Sequence, residues 1–326
     1  MILRILSLFI VASALAQDVD KKTLAEANKY VERANQFVQN KSLPRAKSEY
    51  LKALKIFPQH LDALYNLAIV CEKLGQNDEA VEHFQRYLQI HPDADVWTQL
   101  GVRYDESDKK TEAKAAYEKA IALDPNFGMA HHNLGVLLKE EGRYPEAQEQ
   151  LELFVRLEEK AGRQNGDAYY SLGTLYLARG RFKEAKLTLQ KALDTDPSVS
   201  YYNNAMGDAC LAEKQTELAI GAYQKALEKD PKYAPAYSGL GDAYRQQGDP
   251  KKAAESYRKA LELRSDYPVV HYKLGLLYED TQPAEAIKEF EKYLSSGKNT
   301  GEFATEAKAK IEKLKNVTAP KSQGKQ

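Results

Sequence analysis

The sequence has few cysteines and no excess of charge of one sign. Only Cys71 and Cys210 are cysteines among 326 residues, so at most one disulfide can form within the chain. The 47 basic residues balance 47 acidic residues, which leaves no global field to attract nucleic acid or an anionic membrane. We therefore expect no binding to nucleic acid.

Long apolar runs are also missing, apart from a short one at the start. A basic MILR is followed by ILSLFIVASALA, and Ala14-Leu15-Ala16 matches a small-x-small cleavage motif before Gln17. This run is shorter than the about 20 residues that a membrane span requires. We expect a signal peptide over residues 1–16 and an exported chain, periplasmic or secreted. An uncleaved anchor is the alternative.

Motifs for catalysis and metal binding are absent as well. None of the six histidines stands in HExxH, no cysteine lies near them in the sequence to complete a zinc set, and no serine stands in GxSxG. We therefore expect no catalytic residue, no metal and no cofactor. His131 and His271 share a column with Trp97 and Tyr237, which favours packing as their role.

What the sequence does contain is one unit repeated at about 34 residues. LGVRYDESDKKTEAKAAYEKAIALDP, residues 100–125, resembles LGDAYRQQGDPKKAAESYRKALELRS, residues 240–265. A column of small residues numbers the repeats from one to eight: Ala34, Ala68, Gly101, Gly135, Gly173, Gly207, Gly241 and Gly275. A second column is alanine: Ala46, Ala80, Ala113, Ala147, Ala185, Ala219, Ala253 and Ala286. Four residues after each alanine comes a bulky residue: Tyr50, Phe84, Tyr117, Leu151, Leu189, Tyr223, Tyr257 and Phe290.

Each repeat is predicted to be a hairpin of two helices. Apolar spacings of three and four residues predict an amphipathic helix in each half. The first helix should end at a left-handed glycine, and the second should end where proline cannot continue the helix. The stopping glycines are Gly75, Gly142, Gly180 and Gly248, and the prolines are Pro58, Pro92, Pro125, Pro197 and Pro231.

The glycine-rich stretch GLGDAY, residues 239–244, is not a phosphate-binding loop. Tyr244 stands where GxGxxG requires its third glycine, and no strand precedes the stretch. Six glycines inside helices would cost about 1 kcal/mol each relative to alanine, so close packing must offset them. We expect Gly241 to let the second helix press in against Ala253.

These columns resemble the tetratricopeptide repeat (TPR) family, over nearly the whole chain after residue 26. The resemblance implies an all-α fold, a right-handed TPR solenoid of antiparallel helix hairpins with a capping helix. The predicted segments are an N-terminal arm (17–26), repeats one to four (27–160), repeats five to eight (161–298), the capping helix (299–317) and a disordered tail (318–326). Extra residues at 158–168 predict a longer helix or an irregular joint that could bend the array.

The repeat also decides the state of the cysteines. Cys71 and Cys210 hold equivalent positions in repeats two and six, which places them roughly 40 Å apart in a stack of helices. A disulfide requires Cα atoms within about 7 Å. We expect two separate buried thiols.

The last helix carries an apolar stripe of Phe303, Ala307, Ile311 and Leu314 that would cover the end of the array. Its lysines favour a solvated face, with an acidic-partner site as the alternative. These are Lys308, Lys310, Lys313 and Lys315.

The resemblance places one stripe of each first helix on the concave surface, where TPR proteins bind partners. Asn66, Gln99 and Asn133 would form a column of carboxamides able to pair with a peptide backbone. Ordinary polar surface is the alternative. The whole predicted groove is Tyr65, Asn66, Gln99, His132, Asn133, Tyr170, Ser171, Thr174, Tyr201, Asn204, Asp208, Asp242, Arg245 and Tyr272.

The predicted function is that of a non-catalytic scaffold that binds a protein or peptide segment, in assembly of an envelope or secretion complex. The lysine set with which chaperone-binding TPR domains hold a carboxyl terminus is not evident. One alternative is a self-associating structural protein. A second is a cell-wall carbohydrate-processing enzyme, because tyrosine-rich grooves can hold sugars.

Overall fold

The structure is a computed structural model that describes residues 2–296 and 301–318. Within those ranges it is helical, with no strand. The helices are α1 Ile2–Gln39, α2 Leu43–Ile56, α3 Leu61–Lys73, α4 Asn77–Ile90, α5 Ala94–Glu106, α6 Lys110–Leu123, α7 Gly128–Glu140, α8 Tyr144–Lys160, α9 Gly166–Ala178, α10 Phe182–Thr195, α11 Ser200–Ala212, α12 Thr216–Lys229, α13 Ala234–Gln247, α14 Pro250–Leu263, α15 Pro268–Tyr278, α16 Pro283–Ser295 and α17 Glu302–Thr318.

Consecutive helices pair as hairpins, from α1 with α2 to α15 with α16, and α17 packs on α16. The chain forms two compact units, Met1–Leu157 (the N-terminal unit) and Glu158–Gln326 (the C-terminal unit). The predicted all-α solenoid of helix hairpins is thereby confirmed. Helix α8 has 17 residues where most second helices have 14, so the extra residues near 158 lengthen that helix.

The alanine column and the bulky column form the interior of every hairpin. All eight alanines are fully buried, and the eight bulky side chains are at most 1% exposed. Burying a side chain of this size contributes about 1.5–3 kcal/mol relative to leaving it in water. The repeat spacing therefore marks the hydrophobic core.

The column glycines make room for the bulky residue of the same hairpin. A methyl group in place of the hydrogen at Gly207 would lie 2.6 Å from Cε1 of Tyr223, and one at Gly275 would lie 2.6 Å from Cδ1 of Phe290. At Gly241 the added carbon would meet the ring of Tyr257. The expected close packing is present, but its partner is this ring rather than Ala253.

Gly239 has a different partner from Gly241. A side chain at Gly239 would meet the ring of Tyr223, which belongs to the preceding hairpin and also faces Gly207. One tyrosine therefore lies between two glycines of successive first helices. The pair of glycines in GLGDAY packs against two rings in two hairpins.

In hairpins one to seven, the turn between the two helices contains a left-handed residue. Gly75, Gly142, Gly180 and Gly248 adopt φ between 69° and 84°, as predicted. In repeats one, three and six the same turn is made by Lys41, Asp108 and Lys214, at φ of 56–60°. These three residues adopt a backbone conformation that is unfavourable for any residue with a Cβ atom.

The capping helix covers the last hairpin. Ala307, Ile311 and Leu314 are buried against the core that includes Phe290, whereas Phe303 is 61% exposed. Phe303 thus lies at the edge of the stripe, because its ring touches that of Tyr272 from outside.

Two of the lysines on this helix are paired with hairpin eight. Lys310 Nζ lies 2.7 Å from Glu279 Oε2, and Lys315 Nζ lies 2.9 Å from Glu291 Oε1. The pairing favours a role for these lysines in seating the helix.

Both cysteines are free and buried, as expected.

The predicted arm, residues 17–26, belongs to helix α1, whose residues Ala27, Val31 and Ala34 enter the core. The side chains of residues 1–20 lie outside the described part, so the signal peptide stays a prediction. Residues 319–326 of the predicted tail also lie outside it.

Gly173→Leu tests the close packing. A carbon added at Gly173 would lie 2.8 Å from Leu189 Cδ2, and we expect overpacking to lower the free energy of unfolding by about 3 kcal/mol. Gly221→Ala is the matched control, because a carbon there meets nothing within 4 Å. This second substitution should raise stability by about 1 kcal/mol. Equal effects in urea denaturation would contradict the packing role.

Lys214→Gly tests the left-handed turn. Glycine has no Cβ to clash at φ 60°, so the melting temperature should rise, with a gain of about 1 kcal/mol. The reverse change, Gly248→Lys at φ 84°, should lower it by a similar amount. A stabilising Gly248→Lys would contradict this account.

Candidate functional site

The predicted site lies on the first helices of the hairpins, on a surface called here the first-helix face. It comprises the residues one and two before, and two and five after, the apolar residue that precedes the small-residue column, together with Tyr201, about one turn before Asn204 on α11. In the N-terminal unit, α3, α5 and α7 supply Tyr65, Asn66, Gln99, His132 and Asn133, all half-buried. Equivalent positions on successive parallel helices bring these side chains onto one surface of the unit.

The three amides of this face differ in their contacts. Gln99 Nε2 donates to Tyr65 Oη at 3.0 Å and to Asp95 Oδ2 at 2.6 Å. Asn133 Oδ1 lies 3.2 Å from His132 Nδ1. The Asn66 carboxamide has no hydrogen bond to residues 2–296 or 301–318. Asn66 therefore offers both a donor and an acceptor to a ligand.

An aromatic cluster lies on the face of the C-terminal unit. The ring centroids of Tyr170 and Tyr201 are 4.9 Å apart, and those of Tyr201 and Tyr202 are 4.8 Å apart. Both Tyr201 and Tyr202 donate to Asp167 Oδ1 at 2.7 Å. Sequence reasoning found Tyr170 and Tyr201 but missed Tyr202 and Asp167, which fix the orientation of the rings.

Asp208 and Asp242 repeat one arrangement on neighbouring first helices. Tyr223 Oη donates to Asp208 Oδ1 and Tyr257 Oη donates to Asp242 Oδ1, each at 2.7 Å. Lys273 Nζ forms an ion pair with Asp242. Among the described residues, Asp208 has hydrogen-bond donors but no ion pair, because its other partner is Asn204 Nδ2, at 3.2 Å.

The surroundings of Asp208 raise its pKa. The protein around the carboxyl group removes solvent and raises the pKa of Asp208 to about 6, against the opposing effects of the Tyr223 hydrogen bond and the charge of Lys273. Nearby Asp242 adds to the rise. The face becomes less acidic as the pH falls through 6.

Two predicted groove residues, Tyr272 and Ser171, do not form an open surface. Tyr272 is only 7% exposed, because its ring packs against Tyr293 and Phe303 and its hydroxyl donates to Glu306 Oε2 of α17 at 2.6 Å. The capping helix thus covers a residue that was expected to bind a partner. Ser171 is also buried, and Thr174 Oγ1 donates to the Ser171 carbonyl oxygen at 3.0 Å, within the helix. Arg245 remains exposed.

Both predicted core histidines are packed as expected. His131 is buried, with Nδ1 at 2.7 Å from Gln150 Oε1 and Nε2 at 3.0 Å from the Pro125 carbonyl oxygen. His271 Nδ1 lies 2.6 Å from Glu289 Oε2. Their ring nitrogens form hydrogen bonds within the hairpins.

The fold brings together one set of possible metal ligands that the sequence did not suggest. Single ligand atoms of Cys71, Glu79 and His83 lie within 4.8 Å of one another. Lys47 Nζ already lies 2.7 Å from Glu79, and burial raises the pKa of Cys71 to about 11, which favours the neutral thiol. An ion pair and a neutral thiol thus account for two of the three groups, and the third, His83, has Nδ1 buried without a hydrogen-bond partner among the described residues.

A signal for the tyrosine–acceptor pairs was present in the sequence. Where the residue after the small-residue column carries an amide or carboxylate oxygen, as at Asn35, Asp208 and Asp242, the bulky column holds tyrosine. Repeat five has the hydroxyl of Thr174 at this position and Leu189 in the bulky column. Where that residue is apolar the bulky column holds phenylalanine, leucine or, in repeat three, tyrosine. Comparing this position with the bulky column would have predicted that the carboxylates of Asp208 and Asp242 accept hydrogen bonds from column tyrosines.

The eight hairpins with their glycine and alanine columns define a helical-repeat protein, and comparison with known proteins identifies the kind of repeat. Models of the tetratricopeptide repeat match residues 37–100, 94–127 and 127–198, and a model described as TPR repeat matches residues 207–248 and 241–282. The chain belongs to the tetratricopeptide repeat family. None of its described helices combines the length and apolarity that a membrane span requires.

The curated relatives that this chain matches share only a small part of their length with it. Anaphase-promoting complex subunit 3 of Schizosaccharomyces pombe is 33% identical over 92 residues, which are 28% of this chain and 14% of that protein. The peroxisomal targeting signal receptor of Candida albicans is 34% identical over 107 residues, or 31% and 18% of the two chains. The solved APC/C hetero-tetramer Cut9–Hcn1 has a TM-score of 0.63 at 21% identity, covering 83% of this chain and 52% of that chain, and supports the fold alone.

The raised pKa of Asp208 is testable by NMR titration of its carboxyl carbon. We expect a midpoint near pH 6, against about 3.9 in the unfolded chain. Because the folded state binds the proton more tightly, this group contributes stability at low pH that is lost as the pH rises from about 4 to 6. Tyr223→Phe removes a donor to the carboxylate and should move the midpoint upward. A midpoint near 4 in both proteins would contradict the assignment.

Proposed function

We propose that this protein is a non-catalytic interaction scaffold that binds an extended segment or a helix of a partner protein on its first-helix face. The observation that carries the proposal is the row of amides in the N-terminal unit, with the Asn66 carboxamide unpaired beside Gln99 and Asn133. A side-chain amide can pair with both the N–H and the C=O of a peptide bond. Repetition on successive helices gives the spacing that a continuous chain requires.

The neighbours of the amides support the same role. Gln99 is held by Asp95 and by the Tyr65 hydroxyl, so its side chain is oriented before a ligand arrives. The His132 ring lies 4.9 Å from that of Phe154, centroid to centroid, which holds it in place beside Asn133. Restraining side chains before binding lowers the entropy lost on binding.

The C-terminal unit supplies a different chemistry on its first-helix face. The rings of Tyr170 and Tyr201 offer apolar area together with hydroxyl groups, a combination that is common where proteins bind other proteins. The Asp208 carboxylate adds negative charge above pH 6. This surface favours a partner segment that carries a basic or hydrogen-bond-donating group.

The names of the relatives agree with a partner-binding role. One is called a subunit of a complex and another a receptor for a targeting signal, although the matches cover small parts of both. The signal-peptide pattern of residues 1–16 supports export to the periplasm or out of the cell. We extend the proposal to the assembly of an envelope or secretion complex, with self-association as the rival function.

Site-specific crosslinking in the native cell tests the proposal. A photoreactive p-benzoylphenylalanine at position 62 lies one turn before Asn66 on α3, and the same residue at the exposed position 89 on α4 is the matched control. We expect an adduct with another protein from position 62 only. The double substitution Asn66→Ala and Asn133→Ala should reduce its yield about tenfold, since two hydrogen bonds contribute about 1–3 kcal/mol.

Two outcomes would count against it. Equal adducts from positions 62 and 89 would show contact without selectivity for the face. An adduct that contains only a second copy of this chain would favour the self-associating protein.

A further inference from the structure

A second surface of the C-terminal unit lies on the second helices, away from the first-helix face. Helices α10 and α12 form the two walls of a cavity of about 720 Å3, with α11 between them. Leu187 stands on one wall and Leu218 on the other, while Met206 of α11 lines the base. All three side chains lie within one unit of the structure.

The two leucines break a pattern that the other repeats keep. Leu218 stands one residue before the column alanine, where the other seven repeats carry charge: Arg45, Glu79, Glu112, Glu146, Glu184, Lys252 and Glu285. Leu187 stands two residues after it, where the others carry polar or small residues: Ser48, Glu82, Ala115, Glu149, Gly221, Glu255 and Lys288. At these two positions, a large apolar residue occurs in repeats five and six alone.

Neither leucine contributes much to the core of the unit. Leu187 is 72% exposed and Leu218 is 63% exposed, the two highest values among the exposed large hydrophobic residues of the described chain. Exposed apolar groups that line a common cavity are typical of a surface that binds a partner. Packing inside the hairpins does not account for them.

Gly221 adds a second observation at the same place. It lies inside α12 and lines the cavity, and a side chain there would meet nothing within 4 Å. Glycine weakens a helix, and the column glycines offset that loss by packing against a ring. Gly221 has no such contact within the unit. Its lack of a side chain leaves open the space between Leu187 and Leu218.

The cavity is bordered by positive charge. Lys183 and Lys225 are exposed on the two walls and have no ion pair among the described residues, whereas Lys186 is held by Glu213. The lining includes a single carboxylate, that of Glu217. The border of the cavity therefore complements an acidic ligand.

We propose that this cavity binds an acidic amphipathic helix of a partner protein. The apolar edge of the helix lies between Leu187 and Leu218 and approaches the backbone at Gly221. Acidic residues on its flanks lie against Lys183 and Lys225. A helix covers both exposed leucines, which a single acyl chain inside the cavity would leave in water. The proposal does not depend on the proposed function, because it concerns the opposite set of helices.

Fluorescence anisotropy with a designed peptide provides the test. The probe is a stapled, fluorescein-labelled helix of about five turns, with leucine at every third or fourth position and glutamate on its other faces. A second peptide has lysine in place of glutamate. We expect the full chain to bind the acidic peptide at least tenfold more tightly than the basic one, with a difference that shrinks at high salt.

Substitutions then locate the site and separate binding from folding. Leu218→Glu restores the charge of the other repeats and should weaken binding at least tenfold. Gly221→Gln should raise the melting temperature, because it removes a helical glycine, and also block binding by filling the space. Leu123→Glu, at a leucine that is 48% exposed in the N-terminal unit, is the control and should leave binding unchanged.

Several results would overturn the proposal. These are failure of the acidic peptide to bind, equal binding of the basic peptide, or full binding by the Leu218→Glu variant. Binding of the fluorescent fatty acid parinaric acid in place of the peptide would make the cavity an amphiphile site instead. Self-association of the chain that Leu218→Glu abolishes would make it an interface between copies. The Asn66→Ala, Asn133→Ala variant should bind the peptide normally, which separates this surface from the first-helix face.

Discussion

The contact between a glycine of the first helix and a bulky side chain of the second sets the geometry of every hairpin from repeat three to repeat eight. The ring of Tyr223 or Phe290 lies close to where a Cβ atom of Gly207 or Gly275 would be, so a side chain at either glycine would displace the ring from its place in that hairpin. The penalty of about 1 kcal/mol for a glycine inside a helix is offset by burial of a large side chain, which contributes about 1.5–3 kcal/mol. Because this contact fixes each hairpin, it also fixes the positions of the first helices that carry the first-helix face.

The same tyrosines link this core to the surface. Tyr223 fills the space left by Gly207 and Gly239, and its hydroxyl donates to Asp208 on the first-helix face. The carboxylate is thus held by a group that cannot move without disturbing the packing. Orienting a surface charge from the core fixes part of the first-helix face in advance, which would lower the entropy lost if a partner binds there.

The fold was predictable from the sequence because its determinants recur at a fixed period. The glycine, alanine and bulky columns needed only alignment of the chain with itself, and the structure confirms them as the interior of the hairpins. The first-helix face was predictable only in outline, because the contacts of its side chains differ from one repeat to the next. Tyr272 belonged to the predicted stripe but is covered by α17, and no repeat pattern shows what the end of the array packs against. Cys71, Glu79 and His83 meet across two helices, which spacing within one helix does not reveal.

A double-mutant cycle between Gly275 and Phe290 tests the central contact most directly, because this pair has no hydroxyl group to complicate the result. Gly275→Ala, Phe290→Ala and the double variant would be compared by urea denaturation. The account predicts that Gly275→Ala destabilises the wild-type chain but is tolerated when Phe290 is alanine, a coupling of about 1 kcal/mol or more. Additive effects, within about 0.5 kcal/mol, would contradict the claim that this contact sets the approach of the two helices.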